Sequence, residues 1–335
     1  REDALKQSER IKFENESIIG SIALKGAVID DLTFKNYNIN LGSNEKVTLL
    51  GPRNVEDGYL VESGFVTSNQ NIDIPNSDSV WSVIGKDELT NQSSIKLTWT
   101  NKQGITFEKE ISLDEKYLFT IKQSVINSTN NKYNFYTYGQ IIRNKIPEIS
   151  NFYILHEGLI ATLDDELIEE DYNDIQDKKF SRTAQKGWLG IGDKYWITSL
   201  IPPREKEFKT TFDYKKKFRA NFIATEPLKL DSNAKIEEEF QVIIAAKRVD
   251  IIDGYAETLN IDKFDLAIDW GFLYFITKPL FFGIDYFFKQ LGNYGLAIIA
   301  ITICIRLAFF PLANFSFRSM AKMKALQPEM VRLKE

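Results

Sequence analysis

Arg306 stands inside the apolar run Leu296–Ala313, 18 residues long and carrying no other charge. At 1.5 Å per residue such a run makes a helix of about 27 Å, close to the thickness of the hydrocarbon core of a bilayer. The run predicts a transmembrane helix. An arginine near the middle of a span costs about 2.5–3.5 kcal/mol, and each Ile, Leu or Phe returns about 0.3–0.6 kcal/mol. The helix can therefore insert, but its guanidinium has to face a protein interior or a water-filled cavity and not lipid. The chemistry expected there is attraction of acidic or polar groups, with no bond made or broken.

Other chemistries find little support. His156 is the single histidine. It rules out a histidine-rich metal site, and its neighbours Leu155 and Glu157 form no catalytic motif, so a structural or surface role is expected. Cys304 is the single cysteine, which excludes an intrachain disulfide. Gly187, Gly190 and Gly192 do not have phosphate-loop spacing and are expected in a turn. The acidic stretch 164–179 lacks EF-hand spacing and a central loop glycine. It is expected to be a solvated loop or short helix face, with a calcium site as the weaker alternative. The net charge is -5, and no basic domain points to nucleic acid. No metal or cofactor is expected.

The elements that must position the arginine follow from periodicity. Residues 1–16 are polar and expected to be a linker. From Ser17 to about residue 248 the period is two. Ile95, Leu97 and Trp99 alternate with polar residues. Asn101-Lys102-Gln103-Gly104 supplies a turn, and Ile105 and Phe107 resume, which predicts a hairpin with one buried face. Further alternation at Tyr117–Ile121, Phe208–Tyr214 and Ile236–Ile244, with breaks rich in Asn, Asp, Ser and Gly, predicts a large β-sandwich. Residues 249–265 are read as a helical connector, with Val249, Ile252, Tyr255, Ala256 and Leu259 on one side.

Residues 266–291 are dense in aromatics, among them Trp270, Phe275 and Phe281. Lys278, Asp285 and Lys289 fall within about 40° of one another on a helical wheel, and Asp285 and Lys289 are spaced to pair. An amphipathic helix lying in the lipid interface is expected, with Pro279 at its first position or at a kink. The span itself is assigned to 294–314. Residues 315–335 read as an amphipathic cytoplasmic helix or hairpin arm, interrupted at Pro328. Met320, Met323 and Leu326 lie at helical spacing and, with Lys322, form a surface for packing or for partners. Arg318, Lys322, Lys324, Arg332 and Lys334 follow the span against Glu329 and Glu335, so the C-terminal side is expected to be cytoplasmic and residues 17–291 to lie on the opposite side. Neither Arg1 nor Glu335 reads as a natural terminus, and a piece of a longer chain is expected.

Gly292-Asn293-Tyr294-Gly295, the Ile-rich span with Arg306, Pro311-Leu312 and Ser319-Met320-Ala321-Lys322-Met323-Lys324-Ala325-Leu326-Gln327-Pro328 closely resemble the YidC family of membrane protein insertases. Lys278-Pro279-Leu280-Phe281 looks like that family's interfacial helix. Gly187-Trp188-Leu189-Gly190 with Asp193-Lys194-Tyr195-Trp196 resembles a motif of the periplasmic domain of its Gram-negative members. The resemblance implies a mainly β fold, a periplasmic β-super-sandwich similar to sugar-mutarotase folds, followed by an α-helical membrane segment in the bacterial inner membrane. It implies a hydrophilic groove in which Arg306 sits at the family's arginine and Thr302, one turn earlier, at a substrate-contacting position. The spans needed to complete that groove lie outside this sequence. Implied partners are nascent membrane proteins and the lipid bilayer, with the Sec translocon and the ribosome as further candidates. The competing reading is a membrane-tethered carbohydrate-binding or mutarotase-like β-domain, since a fold does not fix function.

Overall fold

A computed structural model describes residues 1–147, 156–271 and 273–332, with side chains to Lys324. The chain divides into two compact units, Arg1–Asp269 and Trp270–Glu335.

The first unit is a two-sheet β-sandwich. The eleven-stranded sheet runs from the edge strand Phe180–Ala184 through Phe208–Tyr214, Phe218–Ala224, Tyr133–Arg143, Tyr59–Thr67, Val28–Asn38, Ile18–Ala23 and Arg10–Glu14 to Glu88–Leu89. The nine-stranded sheet runs from Glu166–Asp171 through Gly158–Leu163, Gly187–Gly192, Trp196–Ile201, Lys235–Ala246, Leu118–Asn127, Ile105–Leu113 and Ile95–Thr100 to Ser82–Ile84. The predicted hairpin is present: Ile95–Thr100 pairs antiparallel with Ile105–Leu113, Trp99 opposite Phe107. Alternation puts one face of each sheet against the other, and aromatic rings fill the layer between them. Phe13 meets Phe119 edge-on at 5.3 Å, Phe222 meets Phe240 at 5.4 Å, and Phe34 stacks on Trp196 at 4.6 Å. Such pairs add about 0.5–1.5 kcal/mol each beyond the burial of their area.

Two expectations are corrected here. The linker assigned to 1–16 holds a short helix α1, Glu2–Leu5, and the strand Arg10–Glu14, which pairs with Ile18–Ala23. Ile11 and Phe13 alternate with Lys12 and Glu14, and Phe13 is fully buried; five residues were too few to stand out from a polar stretch. Gly187, Gly190 and Gly192 are in a strand and not a turn. A Cβ on Gly190 would lie 2.3 Å from Thr198 O, and one on Gly187 1.9 Å from Thr162 O. Glycine is there because neighbouring backbones come too close for any side chain. The acidic stretch is a tight turn at Asp164-Asp165, both at positive φ, then the edge strand Glu166–Asp171 and helix α2, Tyr172–Asp177. No cluster suited to a metal occurs among the described residues.

The connector assigned to 249–265 is helix α3, Val249–Thr258, followed by a 3-10 turn at Phe264–Ala267. Tyr255 ties α3 down: its hydroxyl donates to Asp114 Oδ2 at 2.7 Å and accepts from the Tyr117 amide at 2.9 Å. Phe264 is buried edge-on against Trp188 at 5.1 Å.

The second unit is a helical hairpin. Helix α4 spans Tyr274–Leu291 and helix α5 spans Tyr294–Arg332. The interfacial helix expected from residue 266 therefore starts at Tyr274, and Pro279 lies inside it. The residues assigned to the span, 294–314, and those assigned to the cytoplasmic helix are joined in one helix, α5, without a break up to Arg332. Nothing between Ala313 and Lys324 ends a helix, and α5 carries Pro311 despite the backbone bond it removes and the crowding of its ring against the preceding turn.

Lys109 is an exception to the apolar layer. It is 2% exposed, and its ammonium donates to Ser63 O at 2.7 Å and Ala27 O at 3.4 Å. Burial pushes its pKa down from 10.5 to about 8. Between those two values the unfolded chain binds the proton more tightly than the folded one, so this group makes stability rise as pH increases from about 8. Denaturant midpoints measured from pH 8 to 10 should climb, and Lys109→Met should flatten the climb. Gly190→Ala should lower unfolding stability by about 1–3 kcal/mol in denaturant titrations.

Candidate functional site

Sequence-predicted site residues gather in the hairpin. Gly292, at φ 65°, ends α4, and its amide donates to Phe288 O at 2.8 Å. Asn293 caps α5, its Oδ1 accepting from the Leu296 amide at 3.2 Å. Phe288 and Tyr294 stack at 3.9 Å across the turn. Further along, Gly283 lets the helices approach: a Cβ there would stand 2.8 Å from Ile301 Cδ1. Sequence reading missed Gly283, whose signal was a lone glycine in a run of large residues.

On α4, Asp285 and Lys289 pair at 2.7 Å as expected. Lys278 Nζ lies 5.7 Å from the centre of the Trp270 ring, and Trp270 meets Phe281 edge-on at 5.6 Å. Thr277 Oγ1 donates to Trp270 O at 2.8 Å. Trp270 thus precedes the helix and folds back on its first turns. Phe275, Phe282 and Tyr286 are exposed, as an aromatic surface meant for an apolar or interfacial medium would be.

On α5, Ala297 is fully buried, and Ile301 and Ile305 are half-buried on the side of α4. Thr302 and Arg306 lie about 100° round from that stripe. Both are exposed, on one face, a turn apart. Thr302 Oγ1 donates to Ile298 O at 2.7 Å, so its proton is held by the helix and its lone pairs face outward. No ion pair reaches Arg306 among the described residues. The geometry offers a cation and an acceptor oxygen side by side on an open face of an otherwise apolar helix. Met320, Lys322 and Met323 are exposed further along α5; the side chains of Leu326 and Pro328 lie outside the described residues.

The β-unit has a cleft of about 760 Å³ lined by Ile39, Val47, Tyr59, Arg143, Glu157 and Trp196, among others. Arg143 Nη1 donates to Asp193 Oδ1 at 2.6 Å and to Tyr172 Oη at 3.0 Å, with the guanidinium 4.6 Å from the Tyr59 ring. Burial pushes the Tyr59 hydroxyl well up, and Arg143 beside it only partly offsets that. Burial also raises Glu157, whose Oε1 accepts from the Lys194 amide at 3.0 Å. Asp57 pairs with Lys145 at 2.8 Å. Asp193 and Asp57 are thus held by cations, which suits scaffolding better than proton transfer. His156 is buried with Nδ1 3.2 Å from Asp171 Oδ1, matching the structural role expected of it. The Arg143–Asp193 pair was visible only as Asp193 in a quoted motif; its partner is distant in sequence.

A family model described as the YidC periplasmic domain matches residues 10–282, and one described as 60Kd inner membrane protein matches residues 286–335. The chain belongs to the YidC family. It is 70% identical to the membrane protein insertase YidC of Pelagibacter ubique over 100% of this chain and 60% of that one. To the protein of the same name from Mesorhizobium japonicum it is 39% identical, over 100% and 57%. To that of Rickettsia prowazekii it is 40% identical, over 98% and 60%. The chain thus spans about 60% of the length of these relatives. Among solved structures, a galactose mutarotase related enzyme from Lactobacillus acidophilus aligns with a TM-score of 0.51 at 11% identity, over 71% of this chain and 97% of that one. That likeness gives this YidC-family chain its fold class and says nothing of sugar chemistry.

Removing one partner of a buried ion pair leaves the other charge uncompensated. Asp193→Ala should therefore cost about 3–5 kcal/mol of unfolding stability, measured by denaturant titration.

Proposed function

We propose that this chain is the periplasmic domain and first groove wall of a membrane protein insertase, which assists insertion and folding of inner-membrane proteins. The observation that carries the reading is the open Thr302–Arg306 face on α5, the one helix among the described residues long and apolar enough to cross a membrane. An arginine cannot rest against lipid without cost. In the full-length protein further helices cover its flanks and leave it in a hydrophilic groove. Acidic or polar segments of a nascent membrane protein are drawn toward the guanidinium and travel partway across, while the apolar helix of the substrate leaves sideways into lipid. Substrate hydrophobicity and the membrane potential, worth about 2.3 kcal/mol per charge per 100 mV, supply the drive. The name of the relatives, membrane protein insertase, supports this reading.

The same reading fixes sidedness. Arg318, Lys322 and Lys324 follow the span, so the C-terminal end of α5 is cytoplasmic and the β-unit periplasmic. Arg306 then sits in the cytoplasmic leaflet, and α4 lies in the outer interface with its aromatics in the lipid. Met320, Lys322 and Met323, with Leu326 and Pro328, belong to a cytoplasmic arm that meets partners, for which the ribosome and the Sec translocon are candidates.

The test is substitution in the full-length protein, with insertion of a substrate bearing an acidic translocated segment as readout. Arg306→Ala should slow insertion roughly ten-fold, equivalent to about 1.4 kcal/mol. Arg306→Glu should slow it further, and Arg306→Lys should retain most of the activity. Equal rates for all four proteins would remove the arginine from the mechanism.

A further inference from the structure

Between the two sheets, beneath Lys109, lies a small cavity of about 20 Å³, lined by Ser63, Trp81, Phe107, Lys109, Gln123 and Tyr138 among others and opening past the exposed Asn76 and Ser77. Three buried polar side chains line it, with Lys109 Nζ 5.1 Å from the centre of the Trp81 ring. Gln123 is fully buried; its Nε2 reaches Gly64 O at a long 3.5 Å, and its Oε1 has no protein partner. Trp81 is 3% exposed and its Nε1 has no protein partner. Lys109 has three N–H donors and spends two on Ser63 O and Ala27 O. These three side chains therefore present two donors and one acceptor.

We propose that this cavity is a built site for one water molecule, which accepts from Lys109 Nζ and Trp81 Nε1 and donates to Gln123 Oε1. The volume fits: one water needs at least about 10–15 Å³ on this measure. A buried water typically makes about three hydrogen bonds, the number offered here. The charges on the walls exclude other occupants. Glu62 and Glu108 line the same cavity and oppose an anion, and Lys109 opposes a metal cation. The site also has a structural purpose. Lys109 and Gln123 come from the nine-stranded sheet and reach carbonyls of Tyr59–Thr67 in the other sheet. The water ties both side chains to Trp81 and closes a polar lock inside an otherwise apolar layer.

The test is a structure of the full chain in detergent, at a resolution that resolves ordered waters, for the parent and for Gln123→Leu and Trp81→Phe. The parent should show one isolated peak within about 2.7–3.2 Å of Lys109 Nζ, Trp81 Nε1 and Gln123 Oε1. Gln123→Leu should lose that peak. Trp81→Phe, which keeps the ring packing if the leucine variant fails to fold, should weaken or shift it. An empty cavity in the parent would overturn the proposal. So would a Gln123 amide turned to bond Trp81 directly, or density continuous with Nζ, which would mean a modified lysine.

Discussion

Apolar surface has to meet apolar surface, and the two units of this chain satisfy that constraint in opposite ways. In the β-unit the partners are internal: Phe13 finds Phe119, Phe34 finds Trp196, and Phe222 finds Phe240 across the sandwich. In the helical unit the large side chains point outward. Phe309, Phe310 and Leu312 on α5 are each about two-thirds exposed. In water that surface would be a liability of several hundred Å². In lipid it is the requirement for insertion, since the backbone groups of α5, apart from the carbonyls left without a donor by Pro311 and Pro328, are satisfied within the helix. The same residue types are therefore core in one unit and exterior in the other, and what differs is the solvent.

Charge follows the same division. A buried charge in the β-unit has to be met by protein. Arg143 is met by Asp193 and by the Tyr59 and Tyr172 rings, and Lys109 by two carbonyls. These groups share a pattern in which the polar atom is brought by a distant strand. Arg306 has no such company on α5. A helix can supply only neighbours a turn away, and of those only Thr302 is polar, with its proton spent on Ile298 O. In lipid the cost of the guanidinium would have to be met from outside the hairpin, as the groove proposed above supposes.

How far the sequence foretold this depended on the range of the interaction. Period-two alternation located Ile95–Thr100 and Ile105–Leu113 because a strand's pattern is local. The hydropathy run located α5 for the same reason, and the i,i+4 spacing located Asp285–Lys289. The glycines of Gly187–Gly192 were misplaced in a turn because their cause is non-local: the carbonyls of Thr162 and Thr198, brought up by neighbouring strands, leave no room for a Cβ. The strand Arg10–Glu14 was lost in a polar stretch because its partner face is supplied by Phe119, more than a hundred residues on. Arg143 escaped for that reason too. The placement of Thr302 and Arg306 on one exposed face was legible because it needs only the helical repeat, although Thr302 was singled out by the family resemblance.

Gly283 shows how the local and non-local readings join. By propensity alone a glycine within α4 costs about 1 kcal/mol against alanine. The structure gives the reason to bear it, since Ile301 occupies the space of the missing Cβ. On the side of that contact Ala297, Ile301 and Ile305 are turned inward, and Thr302 and Arg306 are left exposed. A bulkier residue at 283 would first displace the end of the Ile301 side chain. The outward face of the arginine thus goes with the packing of Ala297, Ile301 and Ile305 on the other side of α5, and not with any ion pair of its own among the described residues.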